Sequence, residues 1–248
     1  MIVSKEKIIV ALDVETAEKA REIVAELRGE VGAFKIGLQL FTAAGASFVR
    51  EVVADGIKIF LDVKFHDIPN TVAKASVEVA RLGVWMFNIH VLGGAEMMRK
   101  TVDNVREVCE KENLAQPKII GVTVLTSSNQ ETLRQAGIER EINAQVLRLA
   151  RLSAKCGLDG VVASPHEVKA IRRKIGNEDF LIITPGIRGQ KSGIWNLESG
   201  TKDDQKRVMT PAEAISAGSD YLVIGRPIVQ AEDKISAVRR ILQEIESI

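Results

Sequence analysis

The chain has little that would staple, anchor or address it. Its 248 residues include only two cysteines, Cys109 and Cys156, far apart and each in a helix-like stretch. That excludes a disulfide framework and leaves two reduced, buried thiols as the expectation. The three histidines, His66, His90 and His166, show no ligand spacing with one another or with a cysteine, so no metal site is expected. An excess of one charge is also missing, since 34 Lys and Arg stand against 33 Asp and Glu. A net charge of +1 gives no basic surplus for counterion-driven nucleic-acid binding and no acidic excess of the kind that keeps chains disordered. No apolar run approaches the roughly 20 residues a membrane helix needs. The start, MIVSKEKIIV, lacks the apolar core and cleavage site of a signal peptide. A cytoplasmic protein with small-molecule partners, and with neither nucleic acid nor membrane among them, is the expectation. No Pro/Gly/Ser-rich linker or low-complexity segment divides the chain, so residues 1–248 read as one domain.

What is present is a repeat of short Val/Ile/Leu-rich runs separated by amphipathic stretches, the pattern of buried parallel strands alternating with covering helices. Eight such runs occur: Ile8–Asp13, Ala33–Gly37, Ile57–Lys64, Trp85–His90, Lys118–Leu125, Asp159–Ser164, Phe180–Gly186 and Asp220–Gly225. Between them the spacing becomes helical, as in Ala17, Ala20, Ile23, Val24 and Leu27, or Val146, Leu149, Ala150 and Ser153. Eight repeats in about 250 residues predict an α/β protein built as a single (β/α)8 barrel. An open doubly wound sheet fits less well, because Val14, Glu15 and Thr16 follow the first run where a glycine-rich fingerprint would stand.

In such a barrel function sits at the carboxyl ends of the strands. The polar residues expected there are Asp13, Lys35, Asp62, Lys64, Asp67, His90, Thr126, Ser127, Arg188 and Arg226. Asp62 and Lys64 are two apart on a strand and share one face, while Leu61, Val63 and Phe65 turn to the helices. This places a carboxylate and an ammonium together in the lumen with Lys35 one strand away, a cluster that must pair to offset desolvation. His66 is expected to support these charges through a hydrogen bond. TPGIR (Thr184–Arg188) and VIGRP (Val223–Pro227) follow runs seven and eight, where barrels often bind phosphate. Gly225 permits close backbone approach, and Arg226, at the start of the last helix, can add a charge-assisted bond. Trp195 lies in a polar stretch, as a residue packing over a ligand or as a surface aromatic.

FLDVKFHDIPNTV (Phe60–Val72), VTVLTS (Val122–Ser127), TPGIR and VIGRPI together resemble the orotidine 5'-phosphate decarboxylase family of the bacterial type. A bare D-x-K-x-x-D would arise by chance in roughly a few per cent of chains this long. The ordered set of motifs, running from IIVALDV almost to the last helix, is far more specific.

The resemblance implies a homodimeric barrel that converts orotidine 5'-monophosphate to uridine 5'-monophosphate and CO2, in de novo pyrimidine biosynthesis, with no metal or organic cofactor. By position, Lys64 would protonate C6 of the pyrimidine as the carboxylate leaves, and Asp62 would lie beside that carboxylate. Lys35, which also contacts substrate, and Asp67 would complete an alternating charge array. In the family this aspartate comes from the partner subunit, together with Ile68 and Thr71, so the active site is shared. Asp13 falls where the ribose hydroxyls are bound and Thr126 where the base is contacted. Arg188, Gln205, Gly225 and Arg226 fall at phosphate and lid positions, and Gln190 is the alternative to Gln205 because the segment between Arg188 and Gln205 is longer than in bacterial relatives. Two rivals stand beside this reading. One is a metal-dependent sugar-phosphate lyase or decarboxylase of the same superfamily, although such relatives carry an acid where this chain has Lys35. The other is a non-catalytic nucleotide-binding barrel, which would be expected to have lost Lys64 or an aspartate.

Overall fold

The computed structural model describes residues 4–188 and 209–248. Eight parallel strands close into a barrel in chain order: β1 (Ile8–Ala11), β2 (Ala33–Gly37), β3 (Ile59–Phe65), β4 (Met86–His90), β5 (Lys118–Val122), β6 (Gly160–Val162), β7 (Leu181–Thr184) and β8 (Tyr221–Ile224). Closure is made by β1 against β8, with Ile9 opposite Val223. Every run read from the sequence coincides with one strand, although β3 extends one residue past its run, to Phe65. The ends are trimmed, so that Asp13 stands two residues beyond β1 and Thr126 in the loop after β5.

The helices are α1 (Ala17–Leu27), α2 (Leu38–Ala54), α3 (Pro69–Arg81), α4 (Gly94–Glu112), α5 (Gln130–Gln135), α6 (Ile142–Lys155), α7 (Val168–Ile175), α8 (Pro211–Ser216), α9 (Arg226–Val229) and α10 (Lys234–Glu246). Their starts are written in the sequence. Thr16 caps α1 by accepting from the Lys19 N–H at 3.3 Å, and Asp233 caps α10 by accepting from the Ser236 N–H at 2.8 Å. Thr210 and Glu213 form a reciprocal capping box around Pro211, at the first position of α8. α1 buries Ala20, Ile23, Val24 and Leu27, the stripe its spacing predicts. Arg226 opens α9, a four-residue turn, rather than the last helix α10, because Pro227 fits the first turn of a new helix and the chain breaks again before Asp233. Cys109 lies in α4 and Cys156 caps α6; both are free and buried, and burial pushes both thiols up.

Alternation along the strands separates two cores. Ile8, Val10, Leu12, Ile36, Ile59 and Leu61 face the helix layer, whereas Ile9, Ala11, Ala33, Phe60, Met86, Ile120, Ile183 and Val223 fill the lumen. Each large side chain fully buried this way contributes about 1.5–3 kcal/mol. Trp85 and Tyr221 meet edge to face, ring centroids 5.1 Å apart, at the amino end of the lumen. With that end filled by apolar side chains, the lumen positions nearest the carboxyl end carry the polar groups.

Candidate active site

A cavity of ≈ 380 Å³ opens at the carboxyl end of the barrel. Ala11, Phe60, Val122, Val124, Leu125, Val162 and Val223 give it an apolar lining. Into it converge Asp13, Lys35, Asp62 and Lys64 from the first three repeats, Thr126 and Ser127 from the loop after β5, Arg188 after β7, and Gly225 and Arg226 after β8. The structure therefore brings together residues that stand up to 213 positions apart, from Asp13 to Arg226.

The charged residues form a chain of alternating sign. Lys35 Nζ lies 3.1 Å from Asp13 Oδ1 and 3.2 Å from Asp62 Oδ2, and Lys64 Nζ lies 2.7 Å from Asp62 Oδ1. The ladder sets this spacing: Lys35 is in register with Ala11 on one side and Phe60 on the other, and Gly37 is in register with Asp62. Gly37 leaves the room, since a Cβ there would stand 2.9 Å from Lys35 Nζ and 3.4 Å from Asp13 Oδ1. Burial works to raise the Asp62 carboxyl, but the two ammonium groups and its hydrogen bonds outweigh it and hold the group below the usual carboxylate range. Burial likewise works against the Lys35 ammonium, and Asp62 and Asp13 outweigh it, so Lys35 is held above its ordinary value.

Strand β3 departs from regular geometry where these residues sit. Its pairing with β4 runs Phe60 to Met86 and Leu61 to Phe87, then jumps to Phe65 opposite Ile89. Four steps along β3 match two along β4, so Asp62, Val63 and Lys64 face Asn88 alone. Lys64 adopts φ +55°, a left-handed conformation that costs an L-residue about 1–2 kcal/mol. Asn88 occupies the gap, fully buried. Its Oδ1 accepts the Lys64 backbone N–H at 2.8 Å, and its Nδ2 donates to Asp62 Oδ1 at 2.6 Å. Sequence reasoning took His90 from this strand and passed over Asn88. The available signal was parity, since Asn88 shares the lumen-facing register of Met86 on β4.

His66 does not bond to the charged array. Its ring packs against His90 with the centroids 5.3 Å apart and the planes tilted by 36°, and the buried His90 Nδ1 has no hydrogen-bond partner among the described residues. Burial, followed by the neighbouring His66 and Lys64 charges, pushes His90 down, which favours the neutral ring. Asp67, Ile68 and Thr71 are exposed and do not line the chain's own cavity; Asp67 Oδ1 accepts the Ile68 N–H at 2.6 Å. Gln205, its alternative Gln190 and Trp195 lie outside the described residues. Four successive strand-to-helix junctions each present an exposed apolar side chain at this end of the barrel: Leu38, Ile68, Leu92 and Leu125, with Ile68 67% exposed.

Residues 6–241 match the family model described as orotidine 5'-phosphate decarboxylase / HUMPS family. The chain is 51% identical over 245 residues to the orotidine 5'-phosphate decarboxylase of Syntrophotalea carbinolica, covering 99% of this chain and 97% of that protein. It is also 51% identical, over 242 residues, to the enzyme of that name from Geobacter sulfurreducens, covering 98% and 97%. Among solved structures it resembles the crystal structure of orotidine 5'-phosphate decarboxylase from Lactobacillus acidophilus, with a TM-score of 0.82, 35% identity and coverage of 96% of this chain and 98% of that one.

Proposed function

The chain belongs to the orotidine 5'-phosphate decarboxylase / HUMPS family and is an enzyme that decarboxylates orotidine 5'-monophosphate in pyrimidine biosynthesis; we propose that it does so without a metal, with Lys64 as the proton donor. The observation that carries this reading is the Asp13, Lys35, Asp62, Lys64 series in one cavity that Arg188 and Arg226 also line. Loss of CO2 breaks the bond between C6 and the carboxyl carbon and leaves the electron pair on C6, with no ring position able to absorb it. The site must then offer positive charge and a proton where that charge grows. Lys64 supplies both: its ammonium gives one proton to C6, CO2 departs, and solvent returns the proton to the amine. Asp62, itself held by Lys35, keeps that ammonium at the lumen mouth, so little reorganisation is needed when charge develops. In this reading Asp13 binds the ribose hydroxyls, Thr126 the base, and Arg188, Gly225 and Arg226 the phosphate, whose binding energy would close and dry the site; all five line the cavity.

The donor set argues against a divalent cation here. Both Asp62 oxygens already face ammonium groups, and a cation placed at Asp62 would stand beside Lys35 and Lys64. The proposal extends to a homodimer with shared sites. The apolar side chains at four neighbouring strand-to-helix junctions form an exposed rim of the kind that marks an interface, and Asp67 stands beside it, outside the chain's own cavity. Loss of orotidine 5'-monophosphate absorbance, followed with excess EDTA for the wild type and for Lys64→Ala, tests the reading. Conversion by the wild type alone is expected. Loss of wild-type activity in EDTA, restored by Mg2+, or full activity of Lys64→Ala, would overturn it.

A further inference from the structure

We propose that Asn88 is a positioning residue for the decarboxylation: it replaces the missing ladder contacts of β3 and fixes both the backbone of Lys64 and the carboxylate of Asp62. The inference rests on the reading of Lys64 as the proton donor. Three residues of β3 face one residue of β4 at this point, and the chain turns left-handed at Lys64. A strand so distorted loses its neighbour's backbone partners, and a buried N–H left without one is costly. The Asn88 amide supplies the acceptor for Lys64 N–H and, with its other end, a donor to the same Asp62 oxygen that holds Lys64 Nζ.

The chemistry at this position is restrictive. A peptide N–H can only donate and an ionised carboxylate can only accept, so the bridging group must present one acceptor and one donor about a carboxamide's width apart. Aspartate in its ionised form offers two acceptors and would set a second negative charge against Asp62. Leucine has the volume and neither function. Serine is too short to reach both partners. Asn88 does not itself line the cavity and acts through the two lining residues it holds. A displacement of Lys64 Nζ by about 1 Å, which the freed backbone would allow, costs on the order of 100-fold in a proton-transfer step.

The test uses Asn88→Leu, Asn88→Ser and Asn88→Asp in the full-length protein, with kcat and KM for orotidine 5'-monophosphate and Kd for uridine 5'-monophosphate. Thermal unfolding runs alongside, with Lys64→Ala as reference. Asn88→Leu and Asn88→Ser are expected to lose about 100-fold in kcat while Kd for uridine 5'-monophosphate stays within about threefold, because ribose and phosphate contacts lie elsewhere. Asn88→Asp carries a further signature. Its protonated carboxyl can donate to Asp62 and still accept from Lys64 N–H, so its kcat relative to wild type should climb as pH falls from 8 to about 5. If Asn88→Leu keeps kcat within about twofold while Lys64→Ala is inactive, Asn88 is only a space-filler and the proposal fails. It fails equally if kcat, nucleotide affinity and melting temperature fall together in all three variants with no pH rescue of Asn88→Asp. A fully active Lys64→Ala would instead defeat the proton-donor reading itself, a separate result.

Discussion

Replacing Asp62 by the near-isosteric asparagine removes one negative charge from between two ammonium groups, and the structure fixes what that should do to stability. Asp62 is 3.2 Å from Lys35 Nζ and 2.7 Å from Lys64 Nζ, with its side chain 14% exposed. At an effective dielectric constant of about 20, a unit pair at ~3 Å interacts by roughly 5–6 kcal/mol before desolvation is counted. Removing one member of a fully buried pair costs about 3–5 kcal/mol. Here the loss should be smaller, about 2–3 kcal/mol, because Lys35 keeps Asp13 and Lys64 is exposed enough to be rehydrated. For a chain of this length that corresponds to a fall in Tm of about 4–12 °C. The Asp62 carboxyl is held below its unfolded value, so its contribution is complete above about pH 4 to 5 and is lost as pH falls through the folded value. The gap between wild type and Asp62→Asn should therefore be widest at neutral pH and close under acid. Urea unfolding followed by circular dichroism between pH 7 and 3 measures it. A gap that is absent at pH 7, or that stays constant down to pH 3, would refute the idea that this carboxylate is the electrostatic centre of the array.

Gly37→Ala should reduce kcat by about tenfold or more with a change in Tm of under about 3 °C, because the added methyl displaces the mobile end of Lys35 rather than backbone; steady-state kinetics beside a melting curve checks both. Arg226→Ala should lower kcat/KM by about 10- to 150-fold, the value of one charge-assisted bond to phosphate, and should weaken uridine 5'-monophosphate far more than uridine. Equal losses for nucleotide and nucleoside would move the phosphate away from Arg226. Mixing Lys64→Ala with Asp67→Ala subunits should restore activity, since a heterodimer of shared sites assembles one intact site from two defective chains. No recovery after verified subunit exchange would place Asp67 in its own chain's chemistry.

The barrel was legible in the sequence because each of its strands falls on an apolar run and, outside the distorted end of β3, the lumen positions follow from period two. Asp62, Lys64 and Lys35 were legible because charge at lumen parity is expensive and therefore conspicuous. The limits were local geometry and neutral polarity. Arg226 was placed at the head of the last helix because a four-residue turn leaves no periodic trace. The hydrogen bond expected of His66 is not made, since its ring contact with His90 joins loop to strand in a way that spacing alone does not encode.

Asn88 is the more instructive omission. A regular strand would put Asp62 and Lys64 on one face through the pleat, but the backbone brings them together by another route. The chain is left-handed at Lys64 and out of register with β4, so the 2.7 Å contact is produced by a distorted loop of strand held in place, and not by the pleat. Local propensity offers no reason for that distortion, because a lysine is a poor choice for φ +55°. Tertiary contacts must impose it, and the buried amide of Asn88 meets both ends of the distorted segment. A rule of local structure broken at the one strand that carries the ammonium and its carboxylate indicates where conformational strain is tolerated for chemistry. The polar residue that sustains it is as informative as the charges it holds.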